Sequence, residues 1–205
     1  MFVIGVDFDN TIVDYTDLIW RVARERRLIK ENAPRSKKVI RDIIRCLPEG
    51  ETKWRKLQAV VYGPRIGGAK LMQGVQNFFI QCKKQRIKVY IISHKTEFAS
   101  SDTLEINLRK AALAWIKKKD FFHNRAFGLA ENDIYFESTR EEKINRIKEL
   151  NCTHFIDDLE ETFREKSFPV NVEKILFAPE KSDCIRNGDR VFADWDRIRE
   201  YFFNG

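Results

Sequence analysis

Apolar positions follow two rhythms along the chain, one of period two and one close to 3.6. The run Phe2-Val3-Ile4-Gly5-Val6 ends in acids and a turn, which predicts a buried strand over residues 2–8 in the middle of a sheet. Helical spacing follows. Residues 16–30 carry Leu18, Ile19, Val22 and Ala23 on one face and arginines on the other, and residues 37–46 repeat the pattern with Val39, Ile40, Ile43 and Ile44. Pro34 and Pro48-Glu49-Gly50 punctuate these stretches, and Gly63-Pro64-Arg65-Ile66-Gly67-Gly68 reads as a hinge where the helical segment returns toward the core. The rhythms then alternate: helix about 70–86, strand 88–92, helix 104–118, strand 133–136, helix 140–150, strand 154–157, helix near 159–166, strand 173–177 and helix 193–203. The segment 119–132 is irregular and predicts no element, and the chain shows neither repeats nor low-complexity tracts.

Strands separated by helices imply a parallel sheet covered on both faces, a three-layer α/β fold. A chain of 205 residues suits one core and a modest elaboration. The expected division is a core of 1–14 and 78–205 and a helical cap of 15–77. With 43% apolar and 34% charged residues the composition is that of a folded protein. No apolar run reaches the roughly 18 residues that span a bilayer, and Asp7 interrupts the apolar start, so a cytoplasmic location without membrane partners is expected. Cys46, Cys82, Cys152 and Cys184 lack metal-finger spacing and read as reduced, mostly structural residues. Charge is uneven: residues 15–77 hold 15 Lys/Arg against six Asp/Glu, a surplus of +9 in a chain of net charge +7. Most of these charges are solvated helix faces, but the asymmetry suggests an anionic partner near this segment.

In open parallel sheets, binding groups collect at the carboxyl ends of the strands. There the sequence places Asp7-Phe8-Asp9-Asn10-Thr11, then Ser93-His94-Lys95, then Asp157-Asp158, with Lys143 on the helix before the last pair. Asp7 and Asp9 are two apart, so extended chain puts both carboxylates on one side and Phe8 on the other. Carboxylates 4 Å apart repel by about 4 kcal/mol at an effective dielectric near 20, and a hard divalent ion relieves this. All-oxygen ligation suits Mg²⁺. A phosphate monoester needs donors for its nonbridging oxygens, which the hydroxyls of Thr11 and Ser93, the backbone N–H groups from Phe8 to Asn10 and the Lys143 ammonium can supply. In this scheme Asp7 attacks phosphorus to form an aspartyl-phosphate, while Asp9 protonates the leaving oxygen and then deprotonates water. His94 and Lys95 fit either a substrate contact or a surface turn, and His123 and His154 read as structural.

This set resembles the haloacid dehalogenase (HAD) superfamily of phosphatases over nearly the whole chain. Asp7-Phe8-Asp9-Asn10-Thr11 is similar to that family's first motif, Ser93 to its second, Lys143 to its third and Asp157-Asp158 to its acidic fourth. The resemblance implies a Rossmann-like core, a nucleophile at Asp7, an acid/base at Asp9, and phosphate contacts from Thr11, Ser93 and Lys143. It also implies Mg²⁺ held by the Asp7 carboxylate, the Asp9 main-chain carbonyl and Asp158, with Asp157 in support, and an insertion that serves as a substrate-selecting cap.

The expected activity is therefore hydrolysis of a small phosphate monoester such as a sugar phosphate. Aspartate at position 9 argues against carbon–halogen cleavage, because halide leaves without a proton. A mutase outcome stays open at this stage, as does a phosphatase acting on nucleotides or nucleic-acid ends, for which Trp20 and Trp54 among basic residues are the motive. A binding protein without catalysis would have no need to keep Asp7, Asp9, Thr11, Ser93 and Lys143 together.

Overall fold

The computed structural model describes residues 2–99, 106–123, 127–186 and 188–204. The chain folds into two compact units, one of residues 1–12, 71–95 and 119–205 and a second of 13–70 and 96–118.

The first unit is built on a seven-stranded sheet. Its strands are β1 (Val3–Val6), β2 (Lys88–His94), β3 (Ile134–Glu137), β4 (His154–Asp157), β5 (Glu173–Phe177), β6 (Cys184–Arg186) and β7 (Asp189–Phe192), in the spatial order β3-β2-β1-β4-β5-β7-β6. All neighbours are parallel except β6 and β7. The hairpin of β6 and β7 is not expected from periodicity: Cys184, Ile185 and Arg186 are all exposed, so β6 carries no apolar alternation to read.

Period-two alternation sorts the side chains between the two faces. Ile92, Phe155, Leu176 and Val191 join one buried cluster with Ile144 and Ile147 of the helix at Arg140–Glu149. On the helices at Val75–Lys84 and Trp195–Phe203, Phe78 meets Trp195 and Phe202 with ring centroids 5.1 and 5.5 Å apart, and Trp195 reaches Phe177 of the sheet at 5.9 Å. The expected three layers are present. The helix at Val75–Lys84 begins later than the sequence suggested, and the helix near 159–166 is a short turn at Glu160–Arg164.

Gly5 pairs with Phe155 across β1 and β4. A Cβ there would lie 2.6 Å from a Phe155 ring carbon and 3.2 Å from the Cys152 sulfur. Phe155 is fully buried and has nowhere to move. Gly5→Ala is expected to destabilise the protein by about 1–3 kcal/mol, read as a lower urea midpoint, because overpacking a filled core forces side chains off their rotamers.

The second unit contains α1 (Thr16–Glu25), α2 (Lys37–Arg45), α3 (Gly50–Tyr62) and α4 (Leu108–Lys118). Ser36 caps α2 by accepting from the Val39 N–H at 3.4 Å. Leu18, Ile19, Val22, Ile40, Ile44, Trp54, Leu57 and Val61 are buried. The helix α3 is a difference from the sequence reading, which named none between 50 and 62; Trp54, Leu57 and Val61 at i, i+3 and i+7 mark its buried stripe. A second difference is the grouping of 96–118 with this unit instead of the core. Its cause is packing: α4 lies against α3 and the turn at Ile66–Gly68, and the Trp115 indole N–H donates to the Ala69 carbonyl at 3.3 Å. The expected helix start at 104–105 lies outside the described residues, as do 124–126 of the irregular segment.

Arginines of this unit pair with its few acids: Arg45 and Arg55 with Glu51, Arg35 with Asp17, Arg65 with Glu25. Such exposed pairs contribute little to stability. Among the described residues no helix is long and apolar enough to cross a membrane. The four cysteines are free thiols, and burial pushes those of Cys82 and Cys152 up to about 12.

Candidate active site

The chain order of the crossovers reverses at β1, which has β2 on one side and β4 on the other. Ligands bind at such switch points, beyond the strands' carboxyl ends. Asp7 continues β1 by donating its N–H to the Ile156 carbonyl at 2.8 Å. The strand proper stops at Val6, shorter than expected, and the chain then turns: Asn10 takes φ 63° and the Ile12 N–H returns to the Phe8 carbonyl at 3.0 Å. Asparagine tolerates the left-handed region better than most residues. Phe8 is fully buried, its ring edge-on to Phe136, so only its backbone is left to serve a ligand. The turn is anchored by a residue 184 positions on, where the indole N–H of Trp195 donates to the Thr11 carbonyl at 3.0 Å.

Three charged groups meet in the interior. The Lys143 ammonium lies 2.6 Å from Asp7 Oδ1 and 2.7 Å from Asp157 Oδ2. The Ser93 hydroxyl donates to the same Asp7 oxygen at 3.0 Å. Lys143 can reach them because its helix starts at a fixed point: Thr139 Oγ1 accepts from the Glu142 N–H at 3.1 Å, and Glu142 accepts from the Thr139 N–H at 3.0 Å. Lys148, the other lysine of that helix, is exposed.

Asp157 uses its second oxygen to accept from the Leu159 N–H at 3.0 Å, closing the turn after β4. It does not cap the following helix, whose N-cap is Leu159. Thr11 is fully buried, and its hydroxyl donates to Asp158 at 3.4 Å. One oxygen each from Asp7, Asp157 and Asp158 lies within 4.8 Å of the others. All three are oxygen donors, a set that could hold one hard divalent cation.

Lys95, left open by the sequence, is buried and its ammonium lies 2.7 Å from Asp9 Oδ2. His94, next to it in the chain, is exposed and its Nε2 meets the Ser138 carbonyl at 3.0 Å. Partial desolvation of the ring lowers the His94 pKa from its ordinary value. His154 is buried against Phe2 and Phe202, ring centroids 4.9 Å from each, which is a packing role.

Four carboxylates and two ammoniums leave a surplus of two negative charges at this edge of the sheet, which one divalent ion would balance. Asp7 and Asp157 share one ammonium, so the lysine stays firmly charged while one carboxylate is in excess. Burial is the main cause raising Asp7 to about 7, and Asp157 and Asp9 add to it while Lys143 opposes. For Lys143 burial works against the charge, but Asp157 and Asp7 outweigh it and hold the group above its usual value. Because the folded pKa of Asp7 lies above its ordinary value of 3.8, the stability this group contributes is complete below 3.8 and is lost as pH rises through about 7. Metal-free protein is therefore expected to lose about 2–3 kcal/mol between pH 5 and 7 that Asp7→Asn retains, at about 1.4 kcal/mol per pH unit per proton. Urea unfolding with a chelator at both pH values, for both proteins, measures the difference.

No protein-family model matches the sequence, and no curated protein matches it. Solved structures do. A HAD-superfamily hydrolase from Ehrlichia chaffeensis is 14% identical with a TM-score of 0.55, covering 98% of this chain and 96% of that one. A family IA, variant 3 HAD hydrolase from Entamoeba histolytica is 16% identical with a TM-score of 0.56, over 97% and 95%. A HAD family hydrolase from Deinococcus radiodurans, solved with bound phosphate and sodium, is 12% identical with a TM-score of 0.56, over 98% and 95%. The chain thus carries the fold of the HAD-superfamily hydrolases.

Proposed function

We propose that the protein is a HAD-type, Mg²⁺-dependent phosphohydrolase that cleaves a small phosphate monoester, such as a sugar phosphate, through an aspartyl-phosphate at Asp7. One observation carries this reading: a single Asp7 oxygen accepts from both Ser93 and Lys143, while Asp157 and Asp158 stand within 4.8 Å. A carboxylate so held is fixed in orientation, and its neighbours suit an anionic ligand with a cation. The phosphate and sodium bound by the Deinococcus neighbour are of that kind.

Asp7, Asp158 and the Asp9 main-chain carbonyl would hold Mg²⁺, with Asp157 in support. Bound there, the ion offsets carboxylate charge and polarises phosphoryl oxygens. A carboxylate oxygen of Asp7 attacks phosphorus, and the bond to the ester oxygen breaks as Asp9 gives that oxygen a proton. Asp9 then takes a proton from water, the water oxygen bonds to phosphorus, and Asp7 leaves as carboxylate. Ser93, Thr11 and Lys143, with backbone N–H groups of Phe8 to Asn10, hold the phosphoryl oxygens. The 13–70 and 96–118 unit acts as the cap, its basic residues drawing in the anion.

The nucleic-acid alternative drew on Trp20 and Trp54. Trp54 is buried, and Arg24 and Arg35 lie over the Trp20 ring at 4.5 and 4.4 Å, so both are engaged within their own unit. The test is phosphate release from p-nitrophenyl phosphate and a panel of phosphorylated sugars, with Mg²⁺ and with chelator. Release on at least one ester that chelator abolishes is the expected result, and background rates throughout would defeat the reading.

A further inference from the structure

The phosphoryl-transfer scheme gives Lys95 nothing to do, yet it is among the most tightly placed charges of the sheet edge. The residue is 4% exposed, and its ammonium stands 2.7 Å from Asp9 Oδ2. Its backbone N–H donates to the Glu137 carbonyl at 2.8 Å, prolonging the pairing of β2 with β3. Its Nζ lies 5.6 Å from the centroid of Phe8, a ring itself pinned against Phe136. Ordering and burying a lysine costs rotamer freedom and solvation, so the site must hold it by its partner.

The partner comes from the segment that follows β1. β1 and β2 run parallel, and Ser93 meets Asp7 across them at 3.0 Å. Two residues further along each chain stand Lys95 and Asp9, again in contact. Each aspartate thus has a donor from the neighbouring segment: a hydroxyl for Asp7, an ammonium for Asp9.

We infer that Lys95 is a positioning residue for the proposed phosphoryl transfer, holding one oxygen of Asp9 so that the carboxyl group is presented in one orientation to the leaving oxygen. This rests on the phosphohydrolase reading. Lys95 itself makes and breaks no covalent bond; the proton moves between Asp9, the ester oxygen and water as described. An untethered aspartate samples three χ1 wells and a broad χ2, whereas proton transfer requires hydrogen-bond reach at the moment the P–O bond breaks. Misplacement of such a group by about 1 Å can cost roughly 100-fold in rate.

The experiment compares wild type, Lys95→Met, Lys95→Gln, Lys95→Arg, Asp9→Asn and the Asp9→Asn/Lys95→Met double variant on an alkyl phosphate and on p-nitrophenyl phosphate, with melting temperatures for each. The alkyl ester needs a proton to leave and the nitrophenyl ester does not. Lys95→Met is expected to lower kcat about 10- to 100-fold on the alkyl ester with KM within about twofold. The loss should shrink on the nitrophenyl ester, return in part with Lys95→Arg, and vanish in the Asp9→Asn background. Lys95→Gln carries the same expectations if Lys95→Met melts too low to assay. Equal losses on both esters, additive losses in the double variant, or a raised KM with unchanged kcat would each overturn the role. A wild type inactive on every ester sinks the parent reading and this role with it, whereas an active wild type matched by Lys95→Met sinks this role alone.

Discussion

Asp7→Asn is expected to lose phosphate release by about 10⁴-fold or more in kcat while keeping its fold. The asparagine is nearly isosteric, so its side-chain oxygen can still accept from Ser93 and Lys143, which meet Asp7 Oδ1 at 3.0 and 2.6 Å. What disappears is the nucleophile, because an amide does not attack a phosphorus centre. Far-UV circular dichroism and a melting curve should match or exceed wild type, since the substitution removes a carboxylate that burial disfavours. Acid-quenched wild type incubated with a radiolabelled substrate should retain label on protein, and the variant should retain none. A variant with more than about a hundredth of the wild-type kcat would exclude Asp7 as the nucleophile.

The second large effect is on stability. Lys143→Met is expected to cost about 3–5 kcal/mol at pH 7.5, because it leaves the Asp7 and Asp157 carboxylates buried without their cation. The side chains of the three are 2%, 7% and 0% exposed, so water cannot replace the lost ammonium. The methionine stem still fills most of the space beside Phe155, whose ring lies 5.2 Å from Nζ, so the loss reports charge more than volume. Adding Asp157→Asn should restore part of it, as should lowering the pH to 5. Urea unfolding of the single and double variants measures both, and a cost under about 1 kcal/mol would show that the lysine does not stabilise the cluster.

Asp7, Thr11, Ser93, Lys143, Asp157 and Asp158 were legible because each sits at a strand end or on a helix of clear period, and strand order then assembles them. Lys95 was not, for a reason of boundary. Its strand was expected to end at 92, which left 95 open between a substrate contact and a surface turn; in the structure β2 runs to His94 and the Glu137 contact extends it. The position two beyond Ser93, matched to the position two beyond Asp7, was the available signal. The hairpin of β6 and β7 escaped notice because its edge strand is wholly exposed. Residues 96–118 were assigned to the core because periodicity reports a buried face without saying which neighbour buries it, and here α3 does.

The bond from Trp195 to Thr11 spans 184 residues of sequence. A ribosome that has already made β1 and the acids after it must add 184 residues beyond Thr11 before the indole that secures their turn is made. The chemistry-bearing loop is thus translated 184 residues ahead of the side chain that locks its turn. Until that moment a nascent chain would lack the finished geometry, and a copy broken off before residue 195 would carry every proposed site residue without the tether that fixes their turn.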